Sequence, residues 1–147
     1  MYLGFLITAL TVLVSAAAEA HVVVLPLESA VGATETYTMR VPAEGNVATT
    51  SVELVVPDGV AILSVEAPAT SYRLNKDGDR IVTITWDANI PPGESQAFVF
   101  VARNPIVAGE IAWKARQFLA DGTSNDWIEP VGSRRPASLT KINQPSP

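Results

Sequence analysis

From His21 onward, apolar and polar residues alternate over short runs broken by turn residues. Tyr37, Met39 and Val41 fall on one side of an extended chain, with Thr36, Thr38 and Arg40 on the other. Ile81 and Thr83 likewise oppose Val82, Ile84 and Trp86. A period of two means a strand with one face buried, and these runs are rich in the β-branched and aromatic residues that suit a pleated surface. The pattern predicts strands near His21–Leu27, Thr34–Val41, Ser51–Val56, Ala61–Glu66, Ser71–Asn75, Arg80–Trp86, Gln96–Arg103 and Glu110–Leu119. Asn75-Lys76-Asp77-Gly78-Asp79 reads as a hairpin turn with Gly78 supplying positive φ. Ile90-Pro91-Pro92-Gly93 and Asp121-Gly122 are further turns. No apolar stripe of helical period and length follows the first twenty residues. The expected fold is all-β: a two-sheet antiparallel β-sandwich of immunoglobulin or fibronectin type. With no cysteine, the Cys–Trp–Cys pattern of true immunoglobulin domains is absent.

The first twenty residues break this pattern. Met1 to Ala18 carries no charged side chain, and Ala18-Glu19-Ala20 is a small-x-small cleavage pattern directly before His21. Residues 1–20 therefore read as a secretory signal peptide. No Lys or Arg precedes the apolar run, so the alternative is an uncleaved N-terminal anchor. Cleavage after Ala20 would give a sandwich domain over residues 21–131, periplasmic or secreted, with no membrane span in the mature chain. Residues 132–147, rich in Ser and Pro, are expected to form a disordered tail.

Composition narrows the chemistry. The net charge of −5 lacks the clustered Lys and Arg that nucleic acid or anionic membranes need. Arg134–Arg135 is too small for a polybasic patch and reads as solvated tail charge. The absence of cysteine removes disulfides, thiolate metal sites and Cys nucleophiles. There is one histidine, no G-x-S-x-G elbow, no phosphate loop and no dinucleotide fingerprint. The chain is therefore expected to bind rather than catalyse.

His21 stands out by position. If the leader ends at Ala20, this residue carries a free α-amine and an imidazole. The amine nitrogen and Nδ1 can close a six-membered chelate ring. Two coplanar nitrogens suit Cu(II), which prefers tetragonal N/O coordination. The bland alternative is a histidine that opens an edge strand with its ring in water. Outside the leader Met39 is the sole methionine, so soft Cu(I) ligands are lacking.

Five segments, in order, sharpen this reading. They are His21-Val22-Val23-Val24 with Pro26, Tyr37 to Glu44 (YTMRVPAE), Thr50 to Pro57 (TSVELVVP), Ile90-Pro91-Pro92-Gly93-Glu94, and Gln117-Phe118 with Asp121-Gly122 ahead of Trp127. Together, over His21 to Glu129, they resemble the YcnI-like family of secreted copper-binding proteins. The resemblance implies a fibronectin-like sandwich and a monohistidine brace. His21 would supply amine and imidazole, Glu53 a strand carboxylate, and Trp127 an indole beside the metal. From the residues alone, Glu53 is equally a solvent-facing strand residue, and Trp127 a core residue. Some family members carry a C-terminal membrane helix. None is present here, so the mature protein is expected to diffuse freely.

The expected function is copper sequestration or delivery outside the cytoplasm, with a copper-donating or copper-accepting protein as partner. A lytic polysaccharide monooxygenase also uses an N-terminal histidine but needs a second one on the metal. A metal-free secreted module that binds a protein or polysaccharide is the remaining alternative.

Overall fold

The computed structural model describes residues 21–66 and 71–145. The expected leader, residues 1–20, lies outside the described residues. Among the described residues eleven strands form two sheets. In order they are β1 Val23–Leu25, β2 Glu28–Ala30, β3 Thr34–Pro42, β4 Thr49–Val55, β5 Ala61–Val65, β6 Tyr72–Asp77, β7 Arg80–Ile90, β8 Ser95–Arg103, β9 Gly109–Leu119, β10 Ser124–Trp127 and β11 Ser138–Asn143. One sheet runs β1-β3-β8-β5; the other runs β2-β11-β9-β4-β7-β6, with β10 also paired to β9. The expected all-β sandwich is therefore the fold, and every pairing is antiparallel except β2 with β11.

The alternation read from the sequence puts side chains where expected. Tyr37, Met39 and Val41 on β3, and Val52 and Leu54 on β4, are wholly buried between the sheets. They meet Phe98 and Phe100 of β8, Ile84 and Trp86 of β7, and Trp113 of β9. Tyr37 and Trp113 pack with ring centroids 4.8 Å apart, and Trp86 and Phe98 at 5.2 Å. Such aromatic pairs add about 0.5–1.5 kcal/mol to their area burial. β7 departs from strict alternation. Its register against β6 slips between Asn75 and Lys76, which face Thr83 and Ile81. Ile81, opposed to Ile84 and Trp86 by strict alternation, consequently packs against the core with them. A bulge inserts one residue into the period, and alternation alone cannot show it.

The expected disordered tail is also corrected. Ser138–Asn143 forms β11, seated between β2 and β9. Thr140 and Ile142 point inward and are buried. The Thr140 hydroxyl accepts from Trp113 Nε1 at 2.9 Å and donates to the Pro26 carbonyl at 3.1 Å. Ser138 Oγ accepts from the Val24 amide at 2.9 Å, which ties β11 to the N-terminal strand. Proline and serine enrichment masks a strand here because those residues lie mainly outside it.

A buried polar cluster closes one side of the core. The Tyr37 hydroxyl donates to Asn104 Oδ1 at 2.6 Å, and Asn104 Nδ2 donates to Ser29 Oγ and the Ala30 carbonyl. Burial pushes the Tyr37 hydroxyl up to about 12 from 10.0, and the nearby Glu35 carboxylate adds to the rise. The folded chain thus keeps this proton where the unfolded chain has released it. Stability is fully present below pH 10.0 and is lost as pH rises toward about 12. Tyr37→Phe should lower stability at neutral pH yet flatten its alkaline loss. Urea midpoints at about pH 9 and about pH 11 check this. An alkaline slope equal to that of the parent protein would count against the buried-phenol account.

Candidate metal centre

His21 lies two residues ahead of β1, separated from it by Val22. Val23 pairs with Arg40 and Val24 with Met39, so the same register brings His21 level with Pro42 at the exit of β3. That exit is fixed by two backbone bonds. The Ala43 amide donates to the Glu94 carbonyl and the Gly93 amide to the Ala43 carbonyl, both at 2.8 Å. Gly45 follows with φ of 71°, a left-handed conformation that turns the chain at little steric cost. Glu44 is therefore held at the end of the sandwich beside the N-terminal strand.

Trp127 forms the inner wall. It ends β10, pairs with Ala115 and is 2% exposed. Its ring centroid lies 5.8 Å from that of His21, with the planes tilted by 59°. The indole Nε1 donates to Gln117 Oε1 at 3.1 Å. Gln117 is buried as well, and its Nε2 donates to the Pro42 carbonyl at 2.7 Å and to Thr49 Oγ1 at 2.6 Å. One amide thus locks the indole, the exit of β3 and the start of β4 together. The sequence reading did not single out Gln117 for this role. The signal available was its place on the inward side of an apolar strand, where an amide must find partners.

His21, Glu44, Trp127, Ser133, Arg134 and Arg135 line an open cleft of about 230 Å³. The last three come from a loop after β10, in the segment expected to be disordered. Among the described residues no three His, Cys, Asp or Glu side chains converge as a metal cluster. Any metal held here needs a donor beyond side chains.

The structure brings His21 and Trp127 together but not Glu53. Along β4, Val52 and Leu54 face the core, so Glu53 faces outward. It pairs in register with Arg116, which pairs with Asp126. Arg116 Nε donates to Asp126 Oδ1 at 3.0 Å on that outer face. Trp127 sits across from Ala115 and Leu54, on the inner face. The carboxylate that lines the cleft is Glu44. Sequence reading included Glu44 in a family-like segment without assigning it a role. An acid just past a strand end has no periodic signature.

Comparisons with known proteins agree with this architecture. Residues 21–147 match the family described as "Domain of unknown function (DUF1775)". The chain is 42% identical over 132 residues to "Copper-binding protein CutI" of Bacillus subtilis (strain 168). The match covers 87% of this chain and 65% of that protein, so the chain spans about two thirds of its relative's length. An uncharacterized protein from Nocardia farcinica with an immunoglobulin-like fold superposes with a TM-score of 0.73 at 26% identity. It covers 84% of this chain and 98% of its own. A type I cohesin from Pseudobacteroides cellulosolvens, at 12% identity and a TM-score of 0.51, covers 86% of this chain and 94% of its own and shares the fold alone.

Proposed function

The chain belongs to the family described as domain of unknown function DUF1775, and we propose that it is an exported, non-enzymatic Cu(II)-binding protein whose site opens at His21. Cleavage after Ala20 frees the α-amine of His21 for the metal. The amine, the imidazole Nδ1 and a carboxylate would hold copper, with Trp127 walling it from the core. The 42% identical relative, named as copper-binding, supports the metal. The observation that carries the reading is the shared cleft of His21, Glu44 and Trp127 at the N-terminal end of β1.

The donor types fit the oxidised ion. Imidazole, amine and carboxylate suit Cu(II). Thiolates are absent, and Met39 is wholly buried in the core, away from the cleft. Bound copper would supply a divalent charge for storage or transfer, and the protein's part is to hold it in an open, partly shielded position. We assign the carboxylate to Glu44 rather than Glu53, because Glu53 lies on the opposite face of its sheet.

Paired variants test that assignment. Glu44→Gln should weaken Cu(II) binding by roughly tenfold, the loss of one charged donor while both nitrogens persist. Glu53→Gln should leave the affinity unchanged. Competition titration against a chelator of known affinity reads both. A weakened Glu53→Gln with an unaltered Glu44→Gln would reverse the assignment.

A further inference from the structure

The copper reading leaves the two arginines of the cleft, Arg134 and Arg135, without a task. Their loop is anchored. The Glu129 amide donates to the Arg135 carbonyl at 3.1 Å, and the Ala137 amide to the Glu129 carbonyl at 2.9 Å. These bonds close a neck around residues 130–135. Within it the Ser133 amide donates to the Pro130 carbonyl at 3.2 Å, and Gly132 turns the chain with φ of 88°. The two arginines are thus brought to the cleft by a tied loop and not by a free tail.

Arg73, Arg80 and Arg116 are each paired with an aspartate. Among the described residues neither Arg134 nor Arg135 makes an ion pair or a side-chain hydrogen bond, although Arg135 is half-buried. A partly desolvated cation without a counter-ion is costly. Its planar fork matches a carboxylate in bidentate fashion. Adding a divalent ion beside a single carboxylate would leave the cleft still more positive. An amine, an imidazole and Glu44 would also leave one of four tetragonal positions open.

We propose that the cleft is a binding site for a small dicarboxylate, one carboxylate held by Arg134 and Arg135 and the other directed toward His21. The guanidinium half of this site stands on the geometry alone. The enhancement by copper rests on the copper-binding reading above. The ligand offsets the excess positive charge and completes the metal's coordination, so copper and dicarboxylate bind cooperatively. Cooperativity of this kind is reciprocal: whatever copper adds to the affinity for the anion, the anion adds to the affinity for copper.

The test uses the chain beginning at His21, first metal-free and then copper-loaded, titrated with malonate at constant ionic strength. In the metal-free protein, the Nε–H resonances of Arg134 and Arg135 and the indole N–H of Trp127 should shift saturably with 1:1 stoichiometry. An Arg134→Gln/Arg135→Gln double variant should bind malonate at least about tenfold more weakly, as loss of charge-assisted hydrogen bonds implies. An Arg134→Lys/Arg135→Lys variant keeps the charge and should recover only part of the affinity. In the copper-loaded protein, malonate should change the electron paramagnetic resonance spectrum, and the Gln double variant should lose that response. Saturable shifts of equal strength in the parent and both variants would overturn the proposal, as would no saturable shift at all. Malonate binding in a protein that takes up no copper would support the guanidinium site and sink the copper reading. Copper binding with no malonate response in either form would sink the dicarboxylate site and leave the copper reading standing.

Discussion

An acetyl cap on the α-amine of His21 is expected to weaken Cu(II) binding on the order of a hundredfold or more at neutral pH, although every side chain survives. The cap turns the α-amine into an amide and brings no new amine with it, so that nitrogen is no longer a basic donor. The six-membered chelate ring is lost. What remains is an imidazole and a carboxylate acting as loosely linked ligands, and linkage of donors is worth several orders of magnitude in effective concentration. Because His21 sits just before β1, the cap disturbs no core contact. Val22 and Val24 stay buried against β3. Thermal unfolding of the metal-free protein should therefore be unchanged while a competition titration shows the loss. Under the proposed function, a leader left uncleaved would block the amine in the same way and so couple export to metal binding.

Trp127→Ala should be the most damaging change at the site, at a cost of about 3–5 kcal/mol. The indole is a large side chain at 2% exposure, packed at the end of the core. Removing it opens a cavity and leaves Gln117 Oε1 without its donor. Gln117 also donates to the Pro42 carbonyl and Thr49 Oγ1, so its displacement would loosen the chain that leads to Glu44. Both stability and copper affinity should fall. Trp127→Phe separates the two roles. It keeps an aromatic face toward His21 but forfeits the Nε1 bond, and should cost about 1–3 kcal/mol. Denaturant unfolding of the metal-free variants checks the order. A loss below about 1 kcal/mol for Trp127→Ala would contradict its place in the core.

Most of the sandwich was legible because half-buried strands write their burial as a period of two. β3 and β4 show it plainly: Tyr37, Met39, Val41, Val52 and Leu54 were read as inward and are buried. What escaped notice was short or irregular. β2 and β10 span only three and four residues, too few for a period to establish itself. β11 lay in a segment whose overall composition resembles a tail, yet Thr140 and Ile142 carry its inward face. The slip in β7 moved Ile81 to the core side without any mark in the pattern.

The site was legible in proportion to how far each residue depends on sequence position alone. His21 was singled out because the proposed chemistry rests on its place after Ala20. Trp127 was carried by the family resemblance, and the structure gives it the ring contact with His21. Glu53 was not brought to the cleft, since strand alternation that buries Val52 and Leu54 turns it outward. Glu44 and Arg134–Arg135 reach the cleft through a turn and a tied loop, and such placements depend on tertiary closure rather than local pattern.

In the proposed site His21 donates two nitrogens to copper. This is tested most directly by electron paramagnetic resonance with electron–nuclear coupling on the Cu(II)-loaded chain that begins at His21, with ¹⁵N placed in His21 alone. Two distinct ¹⁵N couplings are expected from that residue, one from the α-amine and one from the imidazole, with the amine coupling gone when the amine is acetylated. A spectrum with imidazole coupling only, identical with and without the acetyl group, would contradict this.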